Sequence, residues 1–250
     1  MPGRRILSGR HAVREALASS RADVHAVYVL SGEPIADVIE LARRRGIAVE
    51  ERGRAELEKL AESDRHQGAV AVMGEYGYAE PEALVQRAKT AGEAALLVAL
   101  DGVQDPQNLG AIVRSASFFG AHGMLLPRDR AAHVTGATVR ASAGATEHTS
   151  IALCTNLVRT LEGYKREGLW IVGAALSGGR APSEIDLRDP VVLVIGSEGK
   201  GLRPLVLRTC DHVATLPPSG GEAVAALNAS AAAAVLLYEA KRQRAAPPGR

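Results

Sequence analysis

The chain has 250 residues, a formal net charge of +2 and a hydrophobic content of 46%. Aromatic residues make up only 3% of it, so the core has to consist of Ala, Val, Leu and Ile. The small net charge excludes the strongly basic composition typical of bulk nucleic-acid binding, and any RNA contact has to come from local patches. No run approaches the roughly 18 consecutive apolar residues of a membrane span. The start, MPGRRILSGRHAV, lacks the apolar stretch of a secretory signal. We therefore expect a cytoplasmic protein without a membrane partner.

The first third of the chain alternates between helical and strand patterns. Helical periodicity is present in HAVREALAS, PIADVIELARRR and RAELEKLAE, and strand patterns are present in VHAVYVL, IAVEE and GAVAVM. This alternation predicts a small α/β domain with its own core over residues 1–76. A polar, Ala-rich helical stretch near 80–91 follows, and we assign residues 77–93 to a linker helix.

The rest of the chain carries short apolar runs separated by helical stretches. Such runs are typical of buried parallel strands, so residues 94–243 are predicted to form a parallel α/β sheet with helices on both faces. Strands are predicted at 95–100, 123–127, 169–176, 191–196 and 213–217, and helices near 108–119, 134–144, 155–167, 201–209 and 226–243. The last helix is apolar almost all round, which predicts packing against the sheet or a second subunit. The tail 244–250 is predicted to be disordered.

Three basic clusters are candidates for RNA contact. They are Arg43, Arg44 and Arg45; Arg128 and Arg130; and Lys241, Arg242 and Arg244. Charge clusters at helix ends also commonly face water and complement the helix dipole, so both interpretations stay open for each cluster.

The cysteines and histidines do not predict a metal site. Cys154 and Cys210 lack the paired spacing of a zinc ligand set or a redox motif. The histidines are scattered, with no HxxxH or HxH pair. We expect no metal, and we expect both cysteines to be buried apolar residues.

The segment 101–120, DGVQDPQNLGAIVRSASFFG, predicts a ligand site. A strand ends there in a polar turn that opens into a helix, and ligands of open α/β sheets bind at such carboxyl ends of strands. Asn108 and Arg114 are six residues apart, a little under two turns, and are expected roughly on one helix face.

Two further blocks are expected to join this segment at the same crevice. They are IGSEGKGL at 195–202 and LPPSGGEAVAALNAS at 216–230. The middle block matches neither the GxxxxGK[ST] phosphate loop nor GxGxxG, and it is one glycine short of a GxSxG nucleophile elbow. Its carboxylate, Glu198, would repel phosphate and favours a positively charged or amine-bearing ligand.

The ordered set NLGAIVR, IGSEGKGL and LPPSGGEAVAALNAS resembles the signature motifs of the SpoU/TrmH branch of the SPOUT RNA 2'-O-ribose methyltransferases. GRHAVREAL at 9–17 and HQGAVAV at 66–72 resemble the N-terminal RNA-binding domain of bacterial members that methylate a guanosine in 23S ribosomal RNA. The resemblance covers residues 5–243. It implies a C-terminal domain tied into a trefoil knot, S-adenosylmethionine as cofactor, and a homodimer with the active site at the subunit interface.

The resemblance also implies roles for individual residues. The residues implied for catalysis are Arg114, Asn108, Glu198 and Asn228, and those implied for cofactor binding are Gly196, Leu216 and Leu227. Family arginines are often assigned as the base, but a guanidinium is effectively always protonated, so we expect Arg114 to bind phosphate and stabilise alkoxide charge. The 2'-hydroxyl proton is then expected to pass to solvent or to a locally perturbed arginine. Glu198 is expected to orient Arg114 or Asn108; alternatively, it caps the following helix.

The third motif departs from the family pattern. Ala226 stands where the family usually has serine, and the stretch 218–223 is about two residues longer than usual. Ser219 and Glu222 are candidates to replace the missing hydroxyl. The alternatives to a 23S ribosomal RNA enzyme are a transfer-RNA enzyme, a resistance-type ribosomal RNA methyltransferase, and a non-catalytic RNA-binding or ribosome-assembly protein of the same fold.

Overall fold

The computed structural model describes residues 4–216 and 227–245. The chain divides into two compact units. The first consists of Met1–Gly77 and His133–His148, and the second of Tyr78–Ala132 and Thr149–Arg250. Among the described helices, none is long and apolar enough to cross a membrane.

The first unit is a four-stranded sheet with helices, as the alternating patterns predicted. Its elements are β1 (Arg5–Ser8), α1 (Arg10–Ala18), β2 (Val24–Leu30), α2 (Ala36–Arg44), β3 (Ala48–Arg52), α3 (Arg54–Ala61) and β4 (Ala69–Met73). The strand order is β1-β4-β2-β3, in which β4 runs antiparallel to both of its neighbours and β2 is parallel to β3. Strand β1 was not predicted, because four residues that include an arginine carry no strand pattern.

A buried ion pair links the first strand to a later segment of the chain and accounts for a difference from the predicted domain boundaries. Arg5 Nη1 donates to Glu147 Oε1 at 3.0 Å, and Arg5 Nε donates to the Gly74 carbonyl at 3.0 Å. The two side chains are 8% and 2% exposed. Residues 133–148, which contain α6 (Gly136–Ala141), therefore belong to the first unit, although the sequence placed them in a continuous domain over 94–243.

The second unit is built on a six-stranded, entirely parallel sheet with the order β10-β8-β9-β5-β6-β7. Its elements are α4 (Pro81–Ala91), β5 (Leu96–Asp101), α5 (Pro106–Phe118), β6 (Gly123–Pro127), β7 (Ile151–Cys154), α7 (Leu157–Arg166), β8 (Trp170–Ala175), β9 (Val191–Gly196), α8 (Pro204–Thr209), β10 (His212–Thr215) and α9 (Ala229–Ala245). The five predicted strands are confirmed; the short strand β7 was not predicted.

Helices cover both faces of this sheet. Alternate residues of a strand face opposite sides. Leu97 and Ala99 of β5 pack in one apolar cluster with Leu84 of α4 and Leu161 of α7. Helices α5 and α9 pack against each other and contact β6 and β9, so they occupy the other face.

The structure corrects the predictions for the end of the chain. Helix α9 continues to Ala245, so the predicted disorder does not begin at residue 244, and residues 246–250 lie outside the described part. Arg244 donates to four backbone carbonyls, those of Ala94, Ala95, Leu187 and Asp189, at 2.6–3.0 Å. Its guanidinium fastens the helix end to the sheet and is not part of a free basic patch.

Arg45 plays a similar structural role in the first unit. Its guanidinium donates to the carbonyls of Ala16 and Leu17 in the last turn of α1 and to those of Ser19 and Ala22 beyond its end. The predicted cluster at residues 43–45 therefore presents Arg43 and Arg44 to solvent, while Arg45 closes a helix end.

Candidate active site

The site lies at the carboxyl edge of the parallel sheet, where β5 and β9 run side by side. Asp101, the last residue of β5, pairs in register with Gly196, the last residue of β9. Asp101 is 1% exposed and accepts hydrogen bonds from the backbone N of Arg203 at 2.7 Å and from its Nε at 2.6 Å. This carboxylate was missed in the sequence; its signal was an acid directly after the apolar run ALLVAL.

The loop after β9 is held closed by its own backbone. Ser197 N donates to Gly201 O at 3.1 Å, and Gly201 N donates to Ser197 O at 2.9 Å. Gly199 and Gly201 both have positive φ, of 75° and 63°, a conformation that glycine adopts without steric cost. With Asp101 fastening the far end, Glu198 is held on a rigid turn.

Three of the four predicted catalytic side chains meet beside this turn. Asn108 Nδ2 donates to Glu198 Oε1 at 2.8 Å, and Asn228 Nδ2 donates to Asn108 Oδ1 at 3.0 Å and also to Glu198 Oε1. Asn108 is 7% exposed, whereas Glu198 and Asn228 are exposed. The predicted convergence of the three motifs is therefore present in the fold.

Two further residues complete this network. Asp105, the N-cap of α5, accepts from Gln107 N at 3.0 Å and from Asn108 Nδ2 at 3.3 Å. Ser230 donates to Asn228 Oδ1 through its N at 2.8 Å and its Oγ at 2.6 Å. Neither was singled out in the sequence, although an Asp before Pro is a helix-start signal. They fix the orientation of both amides, because each amide oxygen and nitrogen has an assigned partner.

Arg114 does not join this network, and the expectation that it shares a helix face with Asn108 is wrong. Each helical residue turns the chain by about 100°, so six residues place two side chains roughly 120° apart. Asn108 points into the protein with Leu109, Ile112 and Val113, whereas Arg114 is exposed. Its guanidinium makes no hydrogen bond or ion pair with any residue in the described part of the chain.

The alternative role of Glu198 as a helix cap is not supported. Helix α8 begins at Pro204 with Arg203 as its N-cap residue, and no side chain caps it. Of the two expected partners, Glu198 binds Asn108 and does not bind Arg114.

A largely apolar cleft opens next to Glu198. The three residues predicted to hold the cofactor, Gly196, Leu216 and Leu227, all line it. The cleft encloses about 690 Å³, counting its open mouth. The other lining residues are Ala174, Ala175, Leu176, Ile195, Ser197, Glu198, Gly199, Gly201, Ala214, Ala229, Ala232 and Leu236.

Small residues are required on one side of this cleft. A Cβ at Gly196 would lie 2.2 Å from the carbonyl carbon of Gly201, so any larger residue would open the turn. The cleft wall is thus main chain and mostly apolar side chains of alanine, leucine and isoleucine, with one carboxylate at its edge. Among the described residues, no cluster of His, Cys, Asp and Glu is arranged to hold a metal ion.

Family models match both parts of the chain. Residues 95–238 match the SpoU rRNA Methylase family, and residues 6–79 match the model described as RNA 2'-O ribose methyltransferase substrate binding. The chain is an RNA methyltransferase of the SpoU family. The resemblance read from the three motifs is confirmed.

Relatives in this family cover nearly all of the chain. A protein of Mycolicibacterium gilvum (strain PYR-GCK), named uncharacterized tRNA/rRNA methyltransferase, is 43% identical over 96% of this chain and 76% of its own length. A protein of Mycobacterium tuberculosis (strain ATCC 25177 / H37Ra) with the same name is 42% identical over 96% of this chain and 74% of its own length.

Solved structures of SpoU methyltransferases share the fold. The AdoMet-bound rRNA methyltransferase from Sinorhizobium meliloti aligns with a TM-score of 0.80 and 27% identity, over 96% of this chain and 87% of its own. AviRb from Streptomyces viridochromogenes, also with AdoMet, aligns with a TM-score of 0.81 and 24% identity, over 97% and 91%. The α/β class with a parallel sheet is thereby confirmed.

Ala226, together with the candidate substitutes Ser219 and Glu222, lies outside the described residues. Ser230 supplies a hydroxyl to the network, but that hydroxyl is bound to Asn228.

Proposed function

We propose that this SpoU methyltransferase transfers the methyl group of S-adenosylmethionine to a ribose 2'-hydroxyl, that of a guanosine in 23S ribosomal RNA. One observation supports this most: Glu198 belongs both to the Asn108–Asn228 network and to the wall of the apolar cleft. A polar site for the reacting hydroxyl and a cleft for the cofactor therefore share one side chain.

The cleft residues fit S-adenosylmethionine. Backbone groups near Gly196, Leu216 and Leu227 can bind the adenine edge, and the apolar side chains of the cleft can cover its faces. The carboxylate of Glu198 complements a positively charged sulfur, which agrees with the ligand charge expected from the sequence. When bound, the cofactor supplies a methyl group on that sulfur, and the transfer needs no metal.

The chain's own residues would position the nucleophile and stabilise its charge. Asn108 and Asn228, fixed by Glu198, Asp105 and Ser230, form a rigid polar wall for the ribose. Arg114 would bind a neighbouring phosphate and stabilise the developing alkoxide. Because its guanidinium holds no lone pair when protonated, we assign the 2'-hydroxyl proton to solvent.

A homodimer is the second part of the proposal. An apolar patch lies on α5 and α9, where Phe118 is 82% exposed, Tyr238 55% and Val235 41%. Phe118 follows Arg114 by one helical turn, so a second copy that covered the patch would border Arg114. The active site would then be completed at the subunit interface, as the family resemblance implies, and the chain would carry the family's trefoil knot.

The RNA target is assigned to the first part of the chain. We propose that residues 1–76 bind the RNA, that residues 77–93 connect them to the methyltransferase domain, and that the enzyme acts in the cytoplasm, where ribosomal RNA is found. Support comes from the substrate-binding model over residues 6–79. A transfer-RNA target is the alternative, because the relatives are named tRNA/rRNA methyltransferases.

Two measurements test this function. Calorimetry with S-adenosylmethionine should show binding at one site per chain, and a chain without affinity for it would contradict the proposal. Primer extension on 23S ribosomal RNA from a deletion strain should lose one 2'-O-methyl stop. An unchanged 23S pattern together with a lost ribose methylation in transfer RNA would favour the alternative.

A further inference from the structure

A second groove lies at the carboxyl edge of the sheet, on the other side of the loop that carries Glu198. It encloses about 1450 Å³, counting its open mouth, and is bounded by residues after β6, residues at the start of α7 and the start of α8. Arg203, which holds the Glu198 loop through Asp101, forms part of its wall. The cofactor cleft and this groove therefore flank one loop.

Two arginines present guanidinium nitrogens to the groove. The Arg130 side chain is exposed and makes no hydrogen bond or ion pair with any described residue. Arg203 uses Nε for Asp101, its side chain is 58% exposed, and its terminal nitrogens have no partner among the described residues. Asp129 is the one acidic side chain among the lining residues.

The carbonyl of Arg130 accepts a hydrogen bond from Gln104 Nε2 at 3.4 Å, and the backbone of Arg130 is strained. Its φ is +56°, in the left-handed region, which costs a non-glycine residue roughly 1–2 kcal/mol. Outliers of this kind cluster at functional sites, where the surrounding structure holds them. The guanidinium of this strained residue makes no hydrogen bond or ion pair with any described residue.

The groove also offers an apolar wall. Leu205 is 61% exposed and lines it, above the buried Leu157 and Val206. An exposed leucine beside two guanidiniums suits a ligand with an apolar face and an anionic group. A nucleotide has both, since its base covers apolar surface and its phosphate accepts hydrogen bonds from arginine.

We propose that this groove binds a nucleotide of the RNA near the target, with the phosphate on Arg130 and Arg203 and the base on Leu205. The inference rests on the proposed RNA substrate. Only β5 lies between β9 and β6 in the sheet, so the edges of the two sites are about 10 Å apart, within reach of one RNA strand. The groove thereby sets which nucleotides flank the methylated one.

The variants Arg130→Gly and Arg130→Ala test this groove. Glycine removes the side chain and also the strain of the positive φ, so Arg130→Gly should melt no lower than the wild type. With in vitro transcribed 23S ribosomal RNA, both variants should raise KM for RNA by about tenfold, the size of one charge-assisted hydrogen bond. The slope of log Kd against log salt should fall by about 1. Calorimetric affinity for S-adenosylmethionine should stay at the wild-type value.

Arg166→Ala is the matched control, because Arg166 is an exposed arginine at the other end of α7. If the wild type transfers the methyl group and the Arg130 variants have the same KM as Arg166→Ala, the RNA-binding role of the groove is overturned. The proposed function is left standing by that result. No transfer by the wild type would overturn the proposed function instead. Equilibrium binding to the same RNA then decides the groove: weaker binding by the Arg130 variants supports it, and affinity equal to that of Arg166→Ala overturns it.

Discussion

Asn228 donates a hydrogen bond from its Nδ2 to Oδ1 of Asn108 at 3.0 Å, across a sequence separation of 120 residues. The bond connects the start of α5 with the residue before α9, and the Glu198 carboxylate accepts from both amides. Each amide is thereby held in one orientation, with its oxygen and nitrogen distinguished by their partners. Such fixed dipoles are what a site needs in order to orient a hydroxyl group.

Replacing Asn108 by Asp should disrupt this arrangement although the shape is kept. The new carboxylate would face Glu198 Oε1 and Asp105 Oδ2, which now accept from the Asn108 amide at 2.8 and 3.3 Å. Like charges at that distance, at a residue that is only 7% exposed, should lower the melting temperature, and we expect transfer to fall by at least about 100-fold.

The matched control for stability is Asn156→Asp. Asn156 is the N-cap of α7 and accepts from Arg159 N at 3.0 Å, a position where aspartate caps equally well. Its melting temperature should match that of the wild type. A wild-type melting temperature and rate for Asn108→Asp would contradict the assigned network.

Arg244→Ala should destabilise the second unit. The guanidinium donates to four backbone carbonyls, and burial holds its pKa below the usual arginine value. Its loss should cost about 2–3 kcal/mol in free energy of unfolding. For a chain of this length, that corresponds to a fall of roughly 5–10 °C in melting temperature. Lys241 is an exposed cation on the same helix, and Lys241→Ala should leave the calorimetric melting temperature unchanged. An equal effect of both variants would contradict the stabilising role of the Arg244 hydrogen bonds.

Acid should weaken the fold through His122. Burial of the ring holds its pKa below the ordinary value, and Glu93 opposes this shift without cancelling it. Nδ1 accepts from Leu96 N at 3.1 Å, so the native ring is neutral there. The ring is protonated more easily in the unfolded chain than in the folded one. The contribution of neutral His122 to the free energy of unfolding is therefore fully present above the unfolded pKa of about 6.5 and is lost as the pH falls through the lower folded pKa.

Chemical unfolding at several pH values between 5 and 7.5 measures this effect. The free energy of unfolding should decrease towards pH 5, and His122→Gln should flatten the dependence, because its amide oxygen still accepts from Leu96 without titrating. An equally steep dependence in the variant would assign the acid sensitivity to other groups.

Both cysteines should be inert in the native protein. Cys154 is buried as expected, whereas Cys210 is only half-buried, and burial raises the pKa of both thiols to about 11. Because the thiolate is the reactive species, disulfide reagents at pH 8 should label the native chain at least about 100-fold more slowly than the unfolded chain. A thiol that reacts in the native protein at the unfolded rate would contradict this burial.

Local patterns predicted the parts of the fold that depend on neighbouring residues. The apolar runs at β5, β6, β8, β9 and β10 identified the parallel sheet, because strands buried on both faces read as continuous apolar segments. Asn108, Glu198 and Asn228 could be grouped because each follows or precedes a predicted strand or helix at the same sheet edge. The expected cofactor roles of Gly196, Leu216 and Leu227 came from the family resemblance, and these three residues line one cleft.

Long-range polar contacts could not be predicted in this way. The pairing of Arg5 with Glu147 ties residues 133–148 to the first unit, and no local pattern signals a partner 142 residues away. The role of Arg244 could not be predicted for the same reason, since the sequence of a basic helix end is the same whether its side chains face water or bind backbone carbonyls. Arg114 was misplaced for a geometric reason, because six residues bring a helix to a different face.

The most direct test of the central claim is mass spectrometry of nucleosides from 23S ribosomal RNA after incubation with the enzyme and S-adenosylmethionine that carries a deuterated methyl group. Wild-type protein should yield deuterated 2'-O-methylguanosine. Arg114→Ala, which removes an exposed side chain without partners in the described part of the chain, should keep the wild-type melting temperature and abolish the product. Arg166→Ala should retain it. A label on a base instead of a ribose, or wild-type yield from Arg114→Ala, would contradict the account.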